Sequence, residues 1–203
     1  LYAFRYNNHD CDPFADWEII SVVDAFQKYA GIDLKSFMND TDAHRAAADT
    51  NDRKGFYEAA KKTGALVREQ DSWEEIFFAV MDAKIESKLG FSSPAIIYDY
   101  PVSMAALSRR CEDDPRFAKR FEMYVCGLEL ANAFDELTDA AEQRKRFADE
   151  MAAKQEMYGE SYPLDEDFLK ALEHGMPSSG GIALGIDRLA MVCSGALDIN
   201  QVL

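Results

Sequence analysis

The segment that most constrains the fold of this chain lies near its end, at residues 181–191, with the sequence GIALGIDRLAM. Gly181 and Gly185 flank apolar residues, and Asp187 and Arg188 follow at once. The pattern predicts a thin strand and then a helix, because glycine within a strand marks a place where a ligand or another backbone approaches closely. Arginine at such a junction suits a phosphate, whose oxygens match the guanidinium fork. A tightly packed corner with a salt-bridged arginine fits the same spacing.

The composition indicates a globular protein without a membrane span. The hydrophobic fraction of 48% is typical of a folded domain, and no apolar run approaches the roughly 18 residues that a transmembrane helix needs. The N-terminus has neither an initiator Met nor a signal-peptide pattern, so the chain is expected to be a fragment of a longer protein. Four scattered cysteines fit a reducing cytoplasm with buried thiols better than disulfides or a zinc site. These are Cys11, Cys111, Cys126 and Cys193.

The charge is strongly acidic, with 37 Asp and Glu residues against 22 Lys and Arg residues and a net charge of -15. Such a surface repels a phosphate backbone, because non-specific nucleic-acid binding comes mainly from basic side chains. The balance favours a basic partner, or a polyanionic ligand that is handled together with Mg²⁺.

The pattern along the chain predicts an α+β protein in three parts. Residues 1–16 are predicted to be a linker or entry arm, and residues 17–90 a small helical subdomain. Within the subdomain, the predicted helices are 17–29, which stops at Gly31, 42–48, 53–63 and one that begins at Ser72. Ser72 and Glu75 form a capping-box pattern for this last helix, and its apolar residues fall on one stripe. They are Ile76, Phe77, Val80, Met81 and Ile85. Residues 91–203 contain predicted strands at 95–101 and 120–127, and later helices at 140–159 and 165–174.

The segment LELANAFDELTD, residues 128–139, admits two interpretations. On a helix, Glu129, Asn132 and Glu136 form one polar stripe, which is typical of a solvated face. On a strand, Asn132, Phe134 and Glu136 share one face, and Glu129 joins them only through a bulge or a twist. The strand makes a site, because Glu129 and Glu136 are then candidate Mg²⁺ ligands beside ATP phosphates. A carboxylate not bound to metal would pair with a substrate ammonium.

The block RFEMYVCGLELANAFDELTD, followed by an HGMP turn and GIALGIDRLAM, resembles the C-terminal half of the class II lysyl-tRNA synthetase catalytic domain. Within that group the chain is most similar to the elongation factor P–lysine ligase family. The resemblance covers about residues 22–203. It implies a class II antiparallel sheet flanked by helices, in which 121–126 and 129–137 are antiparallel strands joined near Gly127. Residues 91–203 would then be the C-terminal part of the catalytic domain, including motif 3.

Two positions bear on the choice between these relatives. Ala183 lies at the middle of motif 3, where lysyl-tRNA synthetases usually carry Gly and the ligase family carries Ala. Ala133 replaces a Gly that both groups usually have. The motif-1 and motif-2 regions, with their ATP-binding arginine, are expected upstream of Leu1.

The resemblance implies an ATP- and Mg²⁺-dependent ligase. A lysine-type amino acid, (R)-β-lysine, would be activated as an adenylate and transferred to a lysine side chain of elongation factor P. The alternatives are a fragment of a lysyl-tRNA synthetase, with tRNA as the acceptor, and a synthetase-like domain that binds without catalysis. The fragment alone is expected to be inactive, and the full-length parent to be a cytoplasmic homodimer.

On the nucleotide side, the resemblance implies that Glu129 binds ATP through Mg²⁺ and that the Leu130 backbone lies beside the nucleotide. Gly185 would let the nucleotide approach the backbone, and Arg188 would contact the terminal phosphates. Asp187 is expected to be structural, as an acidic residue at a helix N-terminus.

On the amino-acid side, Glu136 would meet the substrate ammonium, with Asn132 and Phe134 lining the same pocket. The expected catalytic residues are Glu129, Glu136 and Arg188.

Overall fold

The computed structural model describes residues 3–39 and 51–203, so the predicted helix at 42–48 lies outside the described residues. Within these residues, one short hairpin precedes a larger sheet. The strands are β1 (Phe4–Tyr6), β2 (His9–Cys11), β3 (Glu18–Ser21), β4 (Ala95–Pro101), β5 (Phe117–Val125), β6 (Leu128–Asp135) and β7 (Gly180–Leu184).

Helices precede β4 and surround the later strands. The α-helices are α1 (Val22–Ala25), α2 (Arg53–Thr63), α3 (Trp73–Val80), α4 (Ala140–Tyr158), α5 (Glu166–His174) and α6 (Ile186–Ser194). Wider helical turns continue α1 over Phe26–Ala30 and α3 over Met81–Ile85. Short 3₁₀ helices cover Leu34–Phe37, Glu86–Lys88, Val102–Met104 and Ile199–Gln201. No helix in the described ranges is long and apolar enough to cross a membrane.

The larger sheet has the strand order β3-β4-β5-β6-β7, with β3 parallel to β4 and every other pair antiparallel. This mostly antiparallel sheet with flanking helices confirms the predicted α+β class. β5 and β6 form a hairpin that turns at Cys126 and Gly127, whose φ values are 51° and 76°. Two successive positive φ values suit a two-residue hairpin turn, because their twist matches that of the strands.

The helix predicted at 17–29 is wrong over its first residues, since β3 occupies Glu18–Ser21. Ile19 and Ile20 pair with Ile96 and Ile97 of β4, so tertiary pairing overrides the local helical pattern. Helical structure begins only after Ser21, whose side chain accepts a hydrogen bond from the Asp24 backbone as an N-cap.

Helix α3 begins and packs as its sequence predicts. Ser72 and Glu75 form a complete capping box, so both orphan donors at the helix start are satisfied. The apolar stripe of this helix and its continuation is buried in the main core. Its members are Ile76, Phe77, Val80, Met81 and Ile85.

The main core continues from the helical segment onto the sheet. The Phe77 ring stacks on Phe26 with a centroid separation of 4.8 Å and lies 6.4 Å from the Tyr100 ring of β4. Burial of these aromatic rings therefore joins the helices to one end of the sheet. The division of the chain at residues 16 and 90 stays a prediction.

A second, smaller core lies under the hairpin β1–β2. Cys11 and Cys126 are buried there together with Val192 of α6. Residues predicted as an entry arm therefore include a hairpin that packs against the β5–β6 turn and the last helix. All four cysteines are free thiols, as predicted. The prediction that they are buried is correct for Cys11 and Cys126, whereas Cys111 is partly buried and Cys193 is exposed.

Candidate active site

A bulge in β6 determines how the polar side chains of the segment 128–139 are arranged. Tyr124 pairs with Glu129, whereas Glu122 pairs with Asn132, so β6 uses three residues where β5 uses two. Directly opposed residues of an antiparallel pair share a face. Glu129 and Asn132 therefore lie on the same face as Glu122 and Tyr124. The strand interpretation with a bulge is confirmed, and the solvated helix is wrong.

The strand-to-helix corner at β7–α6 reaches Glu129. Arg188 Nη1 donates to the Glu129 carbonyl oxygen at 2.9 Å and lies 3.2 Å from Oε2 of the same residue. The Gly185 backbone N–H donates to the Leu130 carbonyl oxygen at 2.9 Å. The four residues predicted for the nucleotide side therefore lie together at one end of the β6 face.

The fold does not require glycine at position 185. Its φ of -75° is open to any residue. A methyl group there would meet Arg188 Cδ at 3.5 Å and the Leu130 carbonyl oxygen at 3.6 Å, which are ordinary van der Waals contacts. The side-chain position at Gly185 is therefore free in this structure.

Gly181 is different, because Glu136 fills the space next to it. A methyl group on Gly181 would overlap Glu136 Oε1. Gly181 pairs with Phe134, and the Glu136 backbone N–H donates to the Ser179 carbonyl oxygen at 2.9 Å. Glu136 is thus seated against the glycine of β7, on the Phe134 side of the site.

One prediction about the metal site needs correction. Glu129 lies near the start of β6, and Glu136 directly follows its last residue. Seven residues of extended backbone with one bulge separate them by roughly 20 Å at about 3.3 Å per residue. The two carboxylates cannot bind one Mg²⁺ together. They lie towards opposite ends of the β6 face.

Arg120 of β5 is a site residue that the sequence did not reveal. Its Nε donates to Asn132 Oδ1 at 3.1 Å, its Nη1 to the Met104 carbonyl oxygen at 2.7 Å, and its Nη2 to Glu122 Oε1 at 2.6 Å. Arg120 appeared only as the first residue of a predicted strand. Strand alternation was the available signal, because it places Arg120 on the same face as Glu122 and Tyr124.

Glu122 is a buried carboxylate with several partners. Its Oε2 accepts hydrogen bonds from the Tyr100 hydroxyl at 2.6 Å and from the Tyr124 hydroxyl at 2.8 Å. Burial raises the pKa of both phenols well above the usual range, and the charge of Glu122 adds to this effect. Both phenols therefore remain hydrogen-bond donors at neutral pH.

Negative charge accumulates around the Glu129 end of the site. Burial raises the pKa of Glu86, and the nearby charges of Glu122, Asp82 and Glu129 raise it further. A divalent cation would relieve this repulsion. In the described part of the chain, no three His, Cys, Asp or Glu side chains are grouped to hold a metal. Mg²⁺ commonly takes only one or two carboxylates plus phosphate oxygens, so Glu129 fits a shared site with a phosphate ligand.

Known proteins similar to this chain include bacterial lysine–tRNA ligases. The chain is 35% identical to the Listeria innocua enzyme over 198 residues and 36% identical to that of Moorella thermoacetica over 198 residues. It is 37% identical to the Pediococcus pentosaceus enzyme over 199 residues. Each match covers 98% of this chain and 37% of the relative, so the chain spans little more than a third of their length.

These relatives bear on the sequence-based preference for elongation factor P–lysine ligases. They carry the name lysine–tRNA ligase, so they give that preference no support and agree better with the synthetase alternative. The chain also matches the family described as tRNA synthetases class II (D, K and N) over residues 5–203. That match begins in the hairpin, well before the resemblance expected from residue 22. The chain that forms this sheet and the β7–α6 corner is therefore a member of the class II tRNA synthetase family (D, K and N).

Proposed function

We propose that the protein activates lysine with ATP and passes the lysyl group to tRNA, as a lysyl-tRNA synthetase. The observation that carries the proposal is the order of groups along one sheet face. Arg188, Gly185 and Glu129 lie at one end, Asn132 is in the middle, and Glu136 lies towards the other end. Phosphate-binding groups and an ammonium-binding carboxylate are thus separated, as a nucleotide and an amino acid laid end to end require.

The nucleotide end is built for phosphate. Among the described residues, Arg188 uses only its Nη1, on Glu129, so its remaining N–H donors are free for phosphate oxygens. The open side-chain position at Gly185 leaves room beside the Leu130 backbone for the nucleotide. Glu129 would hold Mg²⁺ together with phosphate oxygens, and the bound ion would neutralise phosphate charge.

The amino-acid end offers a carboxylate and an aromatic wall. Glu136 supports recognition of the ε-ammonium group of lysine, because an opposite charge in a partly enclosed site is a strong partner. Phe134, opposite Gly181, lies along the same face and would pack on the aliphatic part of the side chain.

The reaction proceeds in two steps without a covalent enzyme intermediate. A carboxylate oxygen of lysine attacks the α-phosphorus of ATP, and pyrophosphate leaves with the bonding electron pair. A hydroxyl group of the tRNA then attacks the acyl carbon, and AMP leaves. The residues of this chain position the reactants and neutralise phosphate charge.

Ala183 supports a second candidate, an elongation factor P–lysine ligase. Ala183 pairs directly with Asn132, so its methyl group lies on the face that carries the site. A methyl group in a closely packed pocket changes the shape of the acid that fits. This candidate would activate (R)-β-lysine and acylate a lysine side chain of elongation factor P. A cytoplasmic location and a homodimer remain predictions from the family resemblance under both candidates.

The test is ATP–pyrophosphate exchange by the full-length protein with α-lysine and with (R)-β-lysine. We expect exchange with α-lysine and charging of tRNA, and we expect Glu136→Ala to abolish both. Glu173→Ala is the matched control, because Glu173 is an exposed carboxylate on α5 paired with Arg144. Exchange restricted to (R)-β-lysine, with transfer to elongation factor P, would establish the second candidate. Absence of exchange with either acid would contradict both.

A further inference from the structure

We propose that Arg120 is a positioning residue that fixes the amide of Asn132, so that Asn132 presents an N–H donor to the carboxylate of the amino acid. The inference rests on the proposed lysine activation and extends it to Arg120, to which that proposal assigns no role. It also sets the direction of the substrate in the site, with the carboxylate at Asn132 and the ammonium group at Glu136.

The Arg120 side chain is held on every side. It is only 12% exposed, and its three nitrogens each donate to a different partner: Asn132, Met104 and Glu122. The guanidinium carbon lies 4.3 Å from the Tyr100 ring centroid and 5.7 Å from that of Phe134. A planar cation held by such partners has one orientation.

This geometry determines which end of the Asn132 amide faces Arg120. A guanidinium group donates hydrogen bonds and accepts none, so the Asn132 atom 3.1 Å from Arg120 Nε must be the carbonyl oxygen. The NH₂ group then points away from Arg120. In the described part of the chain, nothing accepts a hydrogen bond from it. Without Arg120, the amide could rotate and present either end to the substrate.

The orientation matters for chemistry because the two ends of an amide select opposite ligands. The NH₂ group donates to a carboxylate, whereas the carbonyl oxygen would repel it. Asn132 lies between the phosphate-binding end and Glu136 along β6, so a carboxylate held there lies on the phosphate-binding side of the ammonium group. Arg120 thereby acts on the reacting carboxylate through Asn132 without contacting the substrate.

The experiment measures dissociation constants of the full-length protein for lysine and for 1,5-diaminopentane, a diamine that lacks the carboxylate. The ratio of the two constants is the carboxylate selectivity. We expect Asn132→Ala to lower this ratio at least about tenfold, the effect of one hydrogen bond to a charged group. Arg120→Met should lower it similarly, and the double variant should lower it no further. Arg116→Met is the matched control, because Arg116 is a largely buried arginine, 17% exposed, that pairs with Asp114 just before β5.

A second variant keeps the proposal testable if Arg120→Met unfolds. Asn132→Asp retains an acceptor for Arg120 but replaces the N–H donor with a second carboxylate oxygen. It should fold as well as the parent and prefer the diamine to lysine. Unchanged selectivity in Asn132→Asp would overturn the proposal.

Three other results would also contradict it. The first is a carboxylate selectivity of Arg120→Met within twofold of that of the parent. The second is a loss of selectivity in the double variant equal to the product of the losses in the two single variants. The third is that Arg120→Met weakens binding of lysine and of the diamine equally and also lowers the Tm. The last result would identify Arg120 as purely structural. A parent protein that binds no lysine would instead overturn the proposed function itself, together with this inference.

Discussion

Arg188 Nη1 lies 2.9 Å from the carbonyl oxygen of Glu129 and 3.2 Å from its Oε2. This contact joins the first turn of α6 to the bulge in β6, residues that are far apart in sequence. The two side chains are 46% and 35% exposed, so the ion pair contributes little to folding, less than about 1 kcal/mol. Its value therefore lies in placing a guanidinium group and a carboxylate side by side.

Arg188→Ala should separate catalysis from stability. ATP–pyrophosphate exchange is expected to fall by about 10²–10³, the effect of removing one donor from developing phosphate charge, while the Tm stays nearly unchanged. Arg144→Ala is the control, since Arg144 is an exposed arginine of α4 paired with Glu166. Equal exchange rates in both variants would show that Arg188 does not take part in the reaction.

Gly185→Ala should weaken ATP binding without destabilising the fold. The backbone angle suits alanine, and the added methyl group makes only ordinary contacts within the protein. Alanine should even slightly raise the free energy of unfolding, because it restricts the unfolded chain. Calorimetry with ATP and urea unfolding measure the two effects. Unaltered ATP affinity would show that the nucleotide does not approach Gly185.

Gly181→Ala should act at the other end of the site. The new methyl group overlaps Glu136 Oε1, and the carboxylate must move because the strand backbone is held in the sheet. Since Glu136 is the flexible partner, we expect a small loss of stability and a clear rise in the KM for lysine. The KM for ATP is the internal control. A rise confined to ATP would contradict the assignment of Glu136 to the amino acid.

Asp114→Asn gives a prediction about pH. Hydrogen bonds from Arg116, aided by Lys35, lower the pKa of Asp114 from 3.8 to about 2. Because the pKa is lower in the folded state, the carboxylate stabilises the protein above about pH 4, and this contribution is lost as the pH falls towards 2. At pH 7 the variant should lose roughly 2 kcal/mol of unfolding free energy, at about 1.36 kcal/mol per pKa unit.

Urea unfolding of the Asp114→Asn variant at pH 7, 4 and 3 provides the measurement. The gap between variant and parent should narrow only below pH 4. Asp167→Asn is the control, because Asp167 has a 99% exposed side chain on α5. A gap that stays constant down to pH 3 would show that the ionised carboxylate of Asp114 does not stabilise the fold.

Local signals predicted several elements well. The capping box of Ser72 and Glu75 begins α3 as expected, and the β-branched, aromatic run ending in Pro101 forms β4. Gly31 ends the first helical segment with a left-handed backbone, φ 67°. Each of these features depends on interactions between residues close in sequence, which the sequence displays directly.

Segments with two viable local structures needed the sheet to decide between them. Residues 18–21 suit a helix locally but pair in parallel with β4. Residues 128–135 have helical propensity, and only pairing with β5 and β7 makes them a strand. The family resemblance supplied this second assignment in advance, whereas periodicity alone left it open.

For the site, the sequence by itself predicted the strand-to-helix corner that carries Gly185 and Arg188, because the two residues are only three positions apart and the strand and helix around them form from local signals. Tertiary structure alone decided three things. It separated Glu129 from Glu136 by the length of a strand, and it brought Arg188 onto the β6 bulge. It also enclosed Arg120 between two strands and an aromatic ring, where it determines the orientation of Asn132. Hydrogen-bond partners across a sheet depend on register, and register is set by the packing of the whole sheet rather than by any single segment.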